Sequence, residues 1–262
     1  GDTLWMTTQG MGVYRAIISG TDAHPQLSDM RRYVLDGGKN ASNYFFCMGS
    51  TPDGGPLYFG NRGRGLYALQ DDMLKWVQPE AVMPNETGLL DVYAVLPTQE
   101  GLWVGTGRGL SFRPKYGVSD IEFYDVSHGM PNNVIHALTE DGNGNVWAST
   151  NRGLVRFARG THRLRIYSQA DNLDVNEYAD GASFALGDTV FFGGLNGMSI
   201  IASDTATSVR HSDISLGVTG LSILGMPANL DDYLQIDGDR QTLTLRYDQN
   251  TLRLYVATFD YS

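Results

Sequence analysis

One hairpin is written five times into this chain at a nearly constant step, and this repeat limits the available folds more than any other property of the sequence. Its copies run Leu4-Trp5-Met6-Thr7-Thr8 to Gly12-Val13-Tyr14, Leu57-Tyr58-Phe59-Gly60 to Gly65-Leu66-Tyr67, Leu102-Trp103-Val104-Gly105-Thr106 to Gly109-Leu110, Val146-Trp147-Ala148-Ser149-Thr150 to Gly153-Leu154-Val155, and Val190-Phe191-Phe192-Gly193-Gly194 to Gly197-Met198. From one leading aliphatic residue to the next, the steps are 53, 45, 44 and 44 residues. A period in the mid-forties made only of short, turn-bounded strands suits one four-stranded propeller blade and leaves too little room for the helix pair of a helical solenoid. Aromatic residues alternate with small ones, as blades packed face to face require, and the glycine falls where a tight hairpin needs positive φ.

Each hairpin after the first follows an inner-strand candidate: 44–49, 92–96, 134–138 and 178–186. Outer-strand candidates lie at 30–35, 74–78, 121–126 and 164–168. From about Ser208 the period stops, and strand-like stretches at 218–224, 242–247 and 252–259 alternate as the opening of a β-sandwich does. The expected organisation is all-β: propeller blades over residues 1–207, then a linker and the first strands of an incomplete sandwich over residues 208–262. An arc of five blades leaves two edges with unpaired backbone groups, which something must cover.

These motifs resemble the two-component regulator propeller repeat, whose core reads Leu-Trp-(Ile/Val)-Gly-Thr followed by Gly-Leu and an aromatic residue; 102–110 is the best copy, and Gly129-Met130-Pro131-Asn132-Asn133-Val134 is similar to the segment that enters the next blade in that family. The tail, Leu243 to Asn250 and Ala257 to Tyr261, resembles the start of the triple-tyrosine domain that follows such propellers. The resemblance implies a seven-bladed propeller. It also implies the periplasmic half of a bacterial hybrid two-component sensor: a parent with two propellers, one membrane-crossing helix, a cytoplasmic histidine kinase fused to a response regulator, and a homodimeric state. Sensors of this kind typically recognise glycan fragments.

Composition excludes several other classes. A formal charge of −10 and a pI near 4.8 repel phosphate backbones, so nucleic acid is not an expected partner. The single Cys47 cannot form an internal disulfide or, alone, a thiolate metal site. No apolar run reaches the ~18 residues of a membrane span, so this segment is not expected to touch the membrane itself. Gly105-Thr106-Gly107-Arg108-Gly109 lacks the lysine and helix of a phosphate loop. Asp141-Gly142-Asn143-Gly144-Asn145 begins like a calcium loop, but its twelfth position is Arg152 rather than Glu, so it is read as a turn. His24, His128, His136, His162 and His211 show no metal-ligand spacing. Neither a metal nor a cofactor is expected. His136 is read as a core histidine within a strand, and His128, in a loop, as the better ligand contact. Trp103 and Trp147 hold repeat positions and are read as core, whereas Trp76 lies outside the register.

In a four-stranded meander, the loop entering the inner strand and the turn between the two middle strands emerge on one face. On that face the entering loops supply Asn43, Asp91, Asn132, Asn133, Asn176, Glu177 and Tyr178, and the middle turns supply Arg62, Arg64, Arg108, Asn151 and Arg152. Amides and carboxylates can share hydrogen bonds with vicinal hydroxyls, and arginine can pair with uronate or sulfate, so this ring is the expected ligand site and an acidic oligosaccharide the favoured ligand. No catalytic residue is assigned. Two other readings stay open: a propeller glycosidase or lyase, which needs an acid and a base converging on the channel, and a scaffold that makes only protein contacts. Asn and Asp before a strand also commonly close Asx turns.

Overall fold

The computed structural model describes residues 3–21, 24–35, 43–51, 53–77, 91–115, 121–171, 173, 175, 177–202, 215–237, 240–249 and 251–259. It divides into two compact units, Gly1–Thr207 and Ser208–Ser262. The described part of the first unit is all antiparallel. Blade one is β1 (Thr3–Thr8), β2 (Gly12–Thr21) and β3 (His24–Tyr33); blade two is β4 (Phe45–Ser50), β5 (Leu57–Asn61), β6 (Gly65–Gln70) and β7 (Met73–Trp76). Blade three is β8 (Val92–Pro97), β9 (Gly101–Thr106), β10 (Leu110–Pro114) and β11 (Glu122–Tyr124), and blade four is β12 (Ile135–Glu140), β13 (Val146–Thr150), β14 (Gly153–Phe157) and β15 (Leu164–Tyr167). Blade five shows β16 (Tyr178–Leu186), β17 (Thr189–Gly194) and β18 (Gly197–Ala202) among the described residues. Each sheet follows chain order from inside to outside, the meander that the repeat predicts.

The repeated residues have specific jobs. In the middle hairpins of blades one, three and four the threonine hydroxyl donates back across the turn: Thr8 to Gly12 O, Thr106 to Gly109 O and Thr150 to Gly153 O, at 2.7 to 2.9 Å. Those three glycines have φ of 88°, 152° and 103°, and a Cβ on them would lie 2.2, 2.6 and 2.2 Å from the carbonyl oxygens of Tyr33, Tyr124 and Tyr167 on the adjoining outer strands. No larger residue fits without moving that strand. The small residue of the middle strand makes room for the next blade. A Cβ at Gly60 would meet Val92 Cγ1, and one at Gly105 would meet Ile135 Cγ2, both at 2.6 Å.

Accordingly the apolar residues gather between blades. One cluster joins blades one and two (Val13, Tyr33, Phe45, Phe59, Tyr67), a second joins two and three (Leu66, Val92, Val95, Leu102, Val104), a third joins three and four around Trp103, Ile135 and Phe157, and a fourth joins four and five around Trp147, Tyr178, Val190 and Phe192. Trp103 and Trp147 are wholly buried, as repeat positions should be, and Trp76 is half exposed. Burying each such side chain is worth roughly 1.5–3 kcal/mol, so adjacent blades hold one another rather than closing separate cores.

The turn at 141–145 carries its own scaffold. Asp141 Oδ1 accepts the backbone N–H groups of Asn143 and Asn145, and its Oδ2 accepts the Trp147 indole N–H at 2.8 Å. The carboxylate is buried and surrounded by donors, which makes it a turn organiser.

In the second unit, β19 (Ser215–Ile223) pairs with β20 (Met226–Ala228) and β23 (Leu252–Phe259), and β21 (Leu234–Asp237) pairs with β22 (Arg240–Leu243). The strand expected over 242–247 ends at Leu243. Beyond it Arg246 and Gln249 close a turn, with the Arg246 guanidinium on Asp248 at 2.9 Å.

Candidate functional site

Strand register sets the geometry of the site. In each of blades two to five the start of the inner strand pairs with the end of the next strand: Phe45 with Asn61, Val92 with Thr106, Ile135 with Thr150, and Tyr178 with Gly194. The entering loops and the middle turns therefore lie at one end of the blades. Strands β4, β8, β12 and β16 are neighbours in succession, and β16 also approaches β8 and β4, so the four surround a common channel.

At this mouth lies a cavity of about 470 Å³, lined by His136, Asn151, Glu177, Tyr178, Ala179, Asp180 and Leu195. His136 is its centre: Nδ1 lies 2.6 Å from Asp180 Oδ1 and Nε2 lies 2.7 Å from Asn151 Oδ1. The ring is thus fixed between blades four and five. Tyr178 is buried and shares a 2.9 Å hydrogen bond with Ser199, and burial pushes its phenol above the ordinary value. Two acids, an amide and an imidazole thus converge on one concavity, a donor and acceptor set suited to hydroxyl groups.

Part of the sequence-predicted ring lines the cavity, and the other described members bond neighbouring parts of the chain through side chain or backbone. Asn151, Glu177 and Tyr178 line the cavity. Asn43 accepts the Leu35 N–H at 2.7 Å, Asn133 the Val126 N–H at 2.8 Å, and Asn132 the Val134 N–H at 2.9 Å, the last closing an Asx turn. Arg108 and Arg152 give their backbone N–H groups to Thr106 and Thr150 in the middle turns. Arg62 extends over Phe46, 5.6 Å from the ring centroid. Arg64 hydrogen-bonds Tyr67, where burial raises the phenol's pKa and Arg64 opposes the rise. Asp91 accepts the Gly107 N–H through its backbone oxygen at 3.4 Å. Asn176 and His211 lie outside the described residues.

His136 is hydrogen-bonded within its strand, as read from the sequence, and it also lines the cavity, whereas His128 is exposed and bonded to Asp125, with Nδ1 2.7 Å from its carboxylate, in the one-turn helix Val126–His128. Strand alternation gave no warning, because His136 sits at an irregularity of the ladder between Ile135 and Ala137. Asp180 was also missed; it too falls inside a register shift, between Tyr178 and Ser183. Desolvation pushes the Cys47 thiol up to about 12, with Asp180 adding to the shift, so Cys47 stays protonated at neutral pH. Among the described residues no group of three metal-ligating side chains forms, and no helix is long and apolar enough to cross a membrane.

Comparison with known proteins agrees with this architecture. Residues 129–152 match the two component regulator propeller family. Over 85 residues, 32% of this chain, the sequence is 39% identical to Histidine kinase P4 of Formosa agariphila, and the match spans 6% of that protein. The fold is similar to the extracellular domain assigned to a hybrid two component system of B. thetaiotaomicron, with a TM-score of 0.67 and 21% identity over 98% of this chain and 34% of that one. It is also similar to the extracellular domain assigned to a one component system of the same organism, with a TM-score of 0.55 and 22% identity over 76% of this chain and 26% of that one. The chain thus spans only a small part of each relative's length.

Proposed function

Taking the chain as a β-propeller built on the two-component regulator repeat, we propose that it is an extracytoplasmic, periplasmic sensing module of a hybrid two-component system and that it binds an oligosaccharide at the channel mouth. The observation that carries this reading is the cavity around His136, where Asn151, Glu177 and Asp180 converge from two blades. Ligand bound there bridges blades four and five. Binding then biases the arrangement of propeller and sandwich, and through it a dimeric histidine kinase across the membrane. The second unit is read as the start of a triple-tyrosine domain. The module is read as non-catalytic: both ring nitrogens of His136 are engaged by Asp180 and Asn151, so it holds these two side chains in place and has no free nitrogen to move a ligand's protons.

A second reading, a scaffold that makes protein contacts, draws on blade five, where Phe184, Leu186, Met198 and Ile200 are exposed. Calorimetric titration of the whole extracytoplasmic region with neutral and acidic oligosaccharides separates the two. Saturable binding with no product in the recovered sugar supports the sensor. Absence of binding across the panel supports the scaffold, and turnover supports an enzyme.

A further inference from the structure

Each inner strand of blades two to five carries a register irregularity near its start. The shifts fall between Phe45 and Cys47, between Val92 and Ala94, between Ile135 and Ala137, and between Tyr178 and Ser183. The residues left out of the ladder are Phe46, Tyr93, His136 and the 179–182 stretch that contains Asp180. A bulge re-aims the side chain of its extra residue without ending the strand. Four such bulges at one level of four strands around one channel make a designed ring, and its two halves differ in chemistry.

The half on blades four and five is the polar cavity already described. The half on blades two and three is aromatic. Phe46 and Tyr93 have ring centroids 6.1 Å apart, both are partly exposed, and Arg62 covers one side of Phe46. The halves are electrically in touch: burial, Asp91 and Asp180 push the Tyr93 phenol above its ordinary value, while Arg62 pulls it down. Strand β16, which carries Asp180, approaches β8 and β4, which carry Tyr93 and Phe46, across the channel, and this places the aromatic pair beside the polar cavity.

We infer that these bulges form a two-part site for a neutral oligosaccharide of at least two pyranose units, one unit in the polar cavity and the next against Phe46 and Tyr93. This rests on the sensor reading above and specifies its ligand. The C–H groups on one face of a pyranose are apolar and weakly positive, and they match the negative face of an aromatic ring. Its hydroxyls, on the edge, match Glu177 and the remaining lone pairs of Asp180 and Asn151, the two side chains that His136 holds in place. Charge decides against an acidic unit in the cavity, because Glu177 and Asp180 line it and, among the described residues, no lysine or arginine does. This replaces the acidic ligand expected from the arginine ring.

The test uses the whole extracytoplasmic region and a length series of neutral oligosaccharides, from mono- to tetrasaccharide, beside their uronate counterparts. For the sugar that binds, the disaccharide should bind at least about tenfold more tightly than the monosaccharide, and the uronate series more weakly than the neutral one. Phe46→Ala and Tyr93→Ala should remove the gain with length, while Tyr93→Phe, which keeps the ring, should retain it. Asp180→Asn should weaken every length. Equal affinity for one unit and two, undiminished binding by folded Phe46→Ala and Tyr93→Ala proteins, or tighter binding of the uronates would overturn the inference and leave the sensor reading standing. Failure of every saccharide to bind would overturn both.

Discussion

Trp147 in blade four and Phe191 in blade five occupy the same position in the repeat, yet their surroundings differ. Trp147 is wholly buried against Tyr178, Val190 and Phe192 of the following blade. Phe191 pairs across the sheet with Phe184 and Ile200, and on that face Phe184, Leu186, Met198 and Ile200 are each more than half exposed. No described element covers it. The two blades carry similar apolar sequence, so what separates them is the neighbour. In a repeat architecture the stability of a unit is largely an interface term, and the same aromatic residue is worth several kcal/mol where another blade packs on it and little while its face stays exposed.

The strongest way to break this comparison is to delete the ring on each side. Trp147→Ala should cost ~3–5 kcal/mol, as expected for a large buried aromatic, whereas Phe191→Ala should cost less than ~1.5 kcal/mol; urea unfolding of both variants measures the difference, and equal losses would refute it. Next in size is the turn beneath Trp147. Asp141→Ala strips acceptors from two backbone amides and an indole, and leaving buried donors unpaired should cost ~2–3 kcal/mol, read as a shift in the denaturation midpoint.

A smaller effect is expected where blades three and four meet at the opposite end. Burial alone would raise Glu122, but hydrogen bonds from Tyr124 and His162 outweigh it and hold the carboxyl below its ordinary value. A depressed carboxylate stabilises the fold above its unfolded pKa of about 4.3, and that contribution fades as pH falls through the lower folded value. Glu122→Gln should therefore flatten the acid limb of a plot of Tm against pH, and an unchanged acid limb would argue against the His162 contact. Least affected should be the open face: Phe184→Thr or Ile200→Thr should shift stability by no more than ~0.5 kcal/mol, unless another chain covers that surface in solution.

Much of the fold was legible because a propeller repeats its chemistry. The glycines at 12, 109 and 153, the threonines at 8, 106 and 150 and the tryptophans at 103 and 147 each meet the same steric demand from blade to blade, so spacing alone revealed them. The site was less legible for a related reason. Strand alternation assigns each residue to a face only while the ladder keeps its register, and Phe46, Tyr93, His136 and Asp180 all fall where it slips. The entering loops were located correctly, but Asn43, Asn132 and Asn133 spend their amide oxygens on nearby backbone N–H groups, a use that sequence does not distinguish from ligand binding. Asn151, Glu177 and Tyr178 reached the cavity because they adjoin the bulged residues.

Those bulges also bear on how such a module diverges. A residue inside the ladder answers to its cross-strand partners and to the adjacent blade, so changing it risks the fold. A bulged residue has no ladder partner; its side chain meets only other residues of the channel mouth. Phe46 and Tyr93, or His136 with Asp180 and Asn151, can therefore be exchanged as small groups without disturbing the ladder, each exchange altering one sector of the channel mouth. The arrangement separates heritable change in recognition from change in foldability, which is the condition for one scaffold to evolve toward many ligands.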